Sequence, residues 1–268
     1  MKKTILIILL VVFSVTLIVS GYFILSHYMD AKEANDLYDS IAEQVTDTTN
    51  TEETESGEPE TEPVQYSEEK TFLPDYHSLY EQNNDMIGWI RIADTNINYP
   101  VVQSVDNPNF YLKHNFNKEY SDYGCPYVQE NCDVQKPSDN LVIYGHHMKD
   151  GSMFADLEKF KSKDFWESHK TFSFDTLTDK NEYEIVAVFK TVVYTDSPDA
   201  FKYYQFVNAE EPDEFDAYIA KCKELCLYDT GVDAEYGDKL ISLSTCEYSH
   251  NNGRLVVVAK RITPAIEE

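Results

Sequence analysis

The chain has 268 residues, with 22 Lys and Arg against 48 Asp and Glu, a formal net charge of −26. A surface this acidic repels nucleic acid and anionic lipid headgroups, so both are excluded as partners of its globular part. The length accommodates one sizeable domain beside non-globular segments.

Residues 1–4 carry Lys2 and Lys3, and residues 5–25 follow as an uncharged apolar stretch. At about 1.5 Å per residue it crosses roughly 30 Å of hydrocarbon. The two lysines before it, with no basic cluster after it, predict a cytoplasmic N-terminus and a single-pass anchor, everything beyond lying outside the cell. A cleavable signal peptide would have a shorter apolar region and a small-x-small site, so an uncleaved signal anchor is expected.

Residues 26–69 read as a connection. A helical piece is expected over 31–44. Between Lys32 and Lys70 there is no basic residue, and Thr, Glu, Ser and Pro dominate 46–69. Such a composition cannot bury enough apolar surface to offset its ordering entropy, which predicts a disordered acidic stalk.

Residues 70–268 then form one extracellular domain. After an amphipathic helix over 75–82 come eight runs rich in Val, Ile, Tyr, Phe and Thr: MIGWIRI, NINYPVV, CPYVQ, NLVIYG, TFSFDT, EYEIVAVFKTVVYT, KLISLST and RLVVVAKRI. Helices are expected over 153–169 and 211–228. Many short strands with few long helices predict a mainly β fold, a closed barrel of about eight strands with N-terminal helices and a long helix before the last two strands.

Five cysteines, Cys125, Cys132, Cys222, Cys226 and Cys246, leave at least one unpaired or bonded between chains. Cys222 and Cys226 fall with Phe215, Tyr218, Ile219 and Leu225 on one helical face and read as core. Cys125 and Cys132 could close a disulfide across a short loop or stay reduced. No C-x-x-C pair and no His/Cys cluster of zinc spacing occurs, so no metal or other cofactor is expected.

Cys246 differs from the other four. It ends an apolar run and opens the polar loop EYSHNNG. A buried strand-end thiol is the ordinary reading of such a residue. A nucleophile needs exposure and a partner that manages the leaving-group proton. His146, directly after the strand that ends at Gly145, is a candidate carrier at a barrel rim, although most histidines are not catalytic. Its neighbour His147 would face the other way and reads as bland. Arg254 opens the next run, beside Cys246 if the two runs pair as a hairpin through residues 247–253. It cannot act as a base but can donate two hydrogen bonds to an oxyanion. Otherwise it is a surface arginine balancing an acidic protein.

Together these residues resemble the signature of the sortases, membrane-anchored cysteine transpeptidases of Gram-positive surfaces, and specifically class B. The Leu-x-Thr-Cys pattern with a following Arg falls on Leu243, Thr245, Cys246 and Arg254, and Gly-His-x-Met falls on Gly145, His146 and Met148. Similarity extends through IGWI, NYPVVQ, FYLKHNF and MFADLEKF, about residues 76–262. Ser242 stands where the common pattern has Thr, and the loop after Cys246 is short.

The resemblance implies that Cys246 attacks the carbonyl after the threonine of a sorting pentapeptide of NPxTN or SPxTG type, forming a thioester. His146 would serve as acid and base, with Arg254 and the Glu247 backbone N–H stabilising the oxyanion. Asn107, Leu112, Tyr203, Tyr204, Ser244, Thr245 and Glu247 would contact substrate. The partners implied are the sorting-signal peptide of a surface protein and an amine of a peptidoglycan stem peptide or of a pilin. Two alternatives stand beside this. An L,D-transpeptidase-like wall enzyme also orders His, Cys and Arg, but places the arginine almost directly after the cysteine. A stalked surface module could keep the fold without activity.

Overall fold

The computed structural model describes residues 2–51, 72–193 and 200–262. It divides into two compact units, residues 1–40 and 41–268. The first lies in α1 (Lys2–Thr51), a helix of 50 residues that contains a stretch long and apolar enough to cross a membrane. The helix continues past 44 into the segment expected to be disordered; residues 52–69 of that stalk lie outside the described residues. From Ile41 onward α1 belongs to the second unit, where Gln44 accepts a hydrogen bond from Gln82 of α2 (Pro74–Gln82) at 3.0 Å.

Eight strands follow: β1 (Met86–Arg91), β2 (Asn98–Val102), β3 (Tyr127–Val128), β4 (Asn140–Tyr144), β5 (Thr171–Thr176), β6 (Glu182–Val192), β7 (Leu240–Glu247) and β8 (Gly253–Ile262). They close a barrel in the order β1-β2-β3-β4-β7-β8-β6-β5, with β5 returning to β1. The pairs β2·β3 and β4·β7 are parallel and the others antiparallel. Closure gives each described strand a neighbour on both sides, β2 meeting β3 at the single pair Val102–Tyr127, the solution expected for so many short strands. In β8 the run from Leu255 to Ala259 is wholly buried on both faces. Its unbroken apolar sequence, without the alternation of a one-sided strand, reflects that double burial.

The helix α4 (Pro212–Leu225) starts at a proline, carries Asp213 and Glu214 in its first turn and Lys223 in its last, and so matches the helix dipole at both ends. It buries Phe215, Tyr218, Ile219 and Cys222, the expected face. Cys226 departs from that expectation: it caps the helix, forms a bridge to Phe189, and its sulfur accepts the Val188 N–H.

The helix expected over 153–169 is interrupted. A 3-10 segment, Ala155–Lys161, breaks at an extended Ser162 before α3 (Lys163–Ser168). Leu157, Phe160 and Trp166 are all buried. On one continuous α-helix, Phe160 and Trp166 would point roughly 120° apart, so the break is what turns both toward the core. Cys125 and Cys132 are reduced and buried, their thiols directed to the carbonyls of Pro100 and Asn140 respectively.

Gly145, just past β4, lies under the buried ring of Phe154. A Cβ there would come within 2.4 Å of that ring. Gly145→Ala is expected to lower stability by about 1–3 kcal/mol through overpacking. Denaturant unfolding checks this; an unchanged midpoint would mean that Phe154 can move aside.

Candidate active site

Three neighbouring chain segments meet at one rim of the barrel. The parallel register of β4 and β7 sets Tyr144 against Ser244. Two residues further along both chains come His146 and Cys246. Hydrogen bonds hold this continuation together: Gly145 N–H donates to the Ser244 carbonyl at 3.1 Å, and Thr245 Oγ1–H to the Gly145 carbonyl at 2.9 Å. On the other side of β7, the antiparallel hairpin sets Arg254 directly opposite Cys246, and Glu247 opposite Gly253. The connecting loop is therefore only residues 248–252.

His146, Cys246 and Arg254 line one cavity of about 320 Å³, shared with Leu112, Tyr203, Tyr204, Ser244 and Thr245. That volume suits a short stretch of extended peptide rather than a whole protein. Cys246 and Arg254 are half-buried, reachable from solvent yet walled by protein.

The imidazole of His146 is fixed by its Nε2–H, which donates to the Leu112 carbonyl at 2.7 Å. A carbonyl can only accept, so the ring's proton sits on Nε2 and Nδ1 is the nitrogen able to take another. Burial pushes the His146 pKa below the ordinary imidazole value; the Leu112 bond and Asp122 oppose this, and Lys113 adds to it. Burial thus favours the uncharged form of the ring. Gly124 closes the wall behind it: with φ of +62° it adopts the left-handed backbone that glycine favours, and a Cβ would lie 3.3 Å from the ring of His146 and 2.5 Å from the Tyr111 carbonyl.

Arg254 is oriented by its own strand, Nη1–H donating to the Gly253 carbonyl at 2.9 Å. The buried hydroxyl of Tyr203 shares a hydrogen bond with Ser244 Oγ at 2.5 Å. Gln129 accepts from Tyr144 and donates to the Tyr204 carbonyl at 3.0 Å. Tyr203 and Ser244 thus supply a rigid floor through satisfied polar groups.

One of the expected contact residues sits elsewhere. Asn107 is exposed in the preceding loop, its carbonyl accepting the Phe110 N–H, and does not line the cavity. Asn109 does, held in a left-handed conformation with φ of 62°, its side-chain oxygen accepting from Tyr127 at 2.9 Å. The side chain of Glu247 is buried away from the cavity, against Lys161 at 2.7 Å and with Ser249 Oγ–H donating to its other oxygen. Burial raises its carboxyl pKa, but the hydrogen bonds from Lys161 and Ser249 outweigh this and hold it down at about 2.

His147, read as bland in the sequence, makes one contact with this site. Its Nδ1–H donates to the backbone carbonyl of Cys246 at 3.0 Å. Adjacency to His146 was the available signal, and the alternation expected of a strand hid it, since β4 has ended at Tyr144.

The Sortase domain family matches residues 90–262. A sortase B of Listeria monocytogenes is 40% identical over 187 residues, covering 69% of this chain and 73% of that protein. A Staphylococcus aureus sortase B–substrate complex superposes with a TM-score of 0.73 at 26% identity, over 88% of this chain and 100% of that one. A solved sortase B complexed with triglycine gives 0.72 at 25% identity, over 88% and 100%.

Two titrations check the electrostatics. Because the folded pKa of His146 is lowered, the unfolded chain binds its proton more readily, and this contribution to stability is lost as pH falls below about 6.5. The His146 ring resonances in NMR should titrate below that value. Glu247 stabilises the fold above about pH 4.3 and loses that effect as pH falls toward its depressed value. Lys161→Met raises the folded pKa toward the unfolded one and should shrink this acid loss of stability, read by thermal unfolding across pH.

Proposed function

The chain belongs to the sortase family, in its class B, and on that premise we propose that this cysteine transpeptidase cleaves sorting signals of the NPxTN or SPxTG type after threonine. The observation that carries the reading is the shared register. β7 sets Cys246 directly opposite Arg254 in β8, the chain continuing past β4 carries His146 two residues beyond the Tyr144–Ser244 pair, and His146, Cys246 and Arg254 open on one cavity.

In the first half-reaction the Cys246 thiol gives its proton to Nδ1 of His146, and Sγ bonds to the threonine carbonyl carbon. The negative charge moves to the carbonyl oxygen, where the Arg254 guanidinium and the Glu247 backbone N–H donate. Collapse breaks the C–N bond, and His146 returns the proton to the departing amine. The thioester remains on Cys246. In the second half-reaction an amine attacks that carbonyl and loses a proton to His146, the C–S bond breaks, and the thiolate recovers the proton. A neutral His146 suits this cycle, because a base must begin unprotonated.

The acceptor is an amine of the cell wall or of a pilin, and the glycine peptide bound by a related sortase B supports an unhindered amine. The N-terminal helix holds the enzyme in the membrane with residues 1–4 in the cytoplasm and the barrel outside. The family match sets aside an L,D-transpeptidase-like enzyme; a non-catalytic stalked module is the outcome that the following experiment detects.

The full chain in detergent, incubated with NPxTN and SPxTG peptides and an amine, is expected to give a thioester and a transfer product by mass spectrometry. Cys246→Ala should give neither. Arg254→Ala should lower kcat about 10²–10³-fold, the usual consequence of losing an oxyanion donor. A folded wild-type chain that cleaves no motif would overturn the reading.

A further inference from the structure

Resting on that function, the geometry points to His147 and Tyr248 as positioning residues that clasp the two catalytic loops together. His147 sits next to His146, and its Nδ1–H donates to the Cys246 carbonyl at 3.0 Å. Tyr248, two residues beyond Cys246, sends its hydroxyl back to the His147 carbonyl at 2.9 Å. Each loop thus donates a side chain to the backbone of the other, and their rings lie 5.0 Å apart. The clasp closes at the point where the ladder of β4 with β7 has ended and no strand pairing remains to set the spacing.

The surroundings hold His147 in this role. Its side chain is only 19% exposed, and Glu158 lies 3.9 Å from the same Nδ1. Glu158 is in turn bound to Lys161, which also holds the carboxylate of Glu247, the residue between Cys246 and Tyr248. The bridge from His147 to Met153 ties the far side of the first loop to the segment that carries Glu158. Neither His147 nor Tyr248 is among the residues lining the cavity. They act through residues 146 and 246, and their loss should be felt in the chemical step.

Misplacing reacting groups by about 1 Å can cost around 10²-fold in rate. Two hydrogen bonds that restrain the loops without forming the site should account for part of that, about tenfold. The bond is made by Nδ1, so asparagine, whose amide nitrogen stands at nearly the same distance from the backbone, is the conservative replacement, and leucine removes the donor.

The test measures steady-state cleavage of a sorting peptide by the full chain in detergent. His147→Leu is expected to lower kcat about tenfold with KM unchanged, and His147→Asn to restore kcat to within about threefold of wild type. Tyr248→Phe, at an exposed side chain where folding is not at stake, is expected to lower kcat severalfold with an unchanged Tm. Adding it to His147→Leu should then cost less than the product of the two single effects. The clasp is overturned if Tyr248→Phe and His147→Leu keep wild-type kcat, if Leu and Asn at 147 fall equally, or if the effect lies in KM alone. A wild-type chain that cleaves nothing would count against the function itself, a separately visible failure.

Discussion

The site depends on β7 serving two neighbours of opposite polarity. Parallel pairing with β4 brings two strand C-termini to the same rim, and antiparallel pairing with β8 returns the chain to that rim one short loop later. A histidine from one segment, a cysteine from the next and an arginine from the third therefore meet without any long excursion. A slip of one residue in either pairing would turn Cys246 to the opposite face of the sheet. The buried interior opposes such a slip. Ser242 Oγ–H donates to the Asn140 side-chain oxygen at 2.9 Å, and the hydroxyl of Tyr218 on α4 shares a hydrogen bond with Ser242. The serine that departs from the common family pattern thus belongs to a satisfied polar pin between β4, β7 and α4, where an unpaired donor would be costly.

A protein of net charge −26 gives a nucleophilic sulfur poor surroundings unless charge is managed locally. The nearest carboxylate in sequence, Glu247, is the most exposed to that difficulty, because it directly follows Cys246. It is turned away and held by Lys161, with Lys190 4.0 Å off. An ion pair of this kind nearly cancels the field that either member would project several ångströms away. On the other side, burial favours the uncharged form of His146, and Arg254 lines the same cavity with its guanidinium. The global acidity governs which macromolecules approach; the local pairing governs the chemistry.

The strands were legible because each is a run of β-branched and aromatic residues bounded by turn residues, and the polar loop after Cys246 read plainly as a hairpin connection. Arg254 could be placed beside Cys246 for that reason alone. The pairing of β4 with β7 could not be read locally: the two are separated by about a hundred residues, and a parallel pair leaves no turn signature. The two-residue β3 was recognisable only as CPYVQ, longer than the ladder it makes. The break at Ser162 was hidden because it answers to the core contacts of Phe160 and Trp166 rather than to any proline or glycine. The same distinction separates Asn107 from Asn109. Both are asparagines in one loop, and only the left-handed turn at Asn109 decides which of them reaches the cavity. His147 read as bland because its partner is a backbone carbonyl, which a sequence does not display.

Leu112 joins two duties that proteins usually keep apart. Its side chain faces the cavity, and its carbonyl fixes the proton of His146. Loops of this kind normally accumulate insertions and deletions as specificity drifts. Here a change in loop length would displace the carbonyl and release the imidazole, whereas a change of side chain at 112 leaves the backbone where it is.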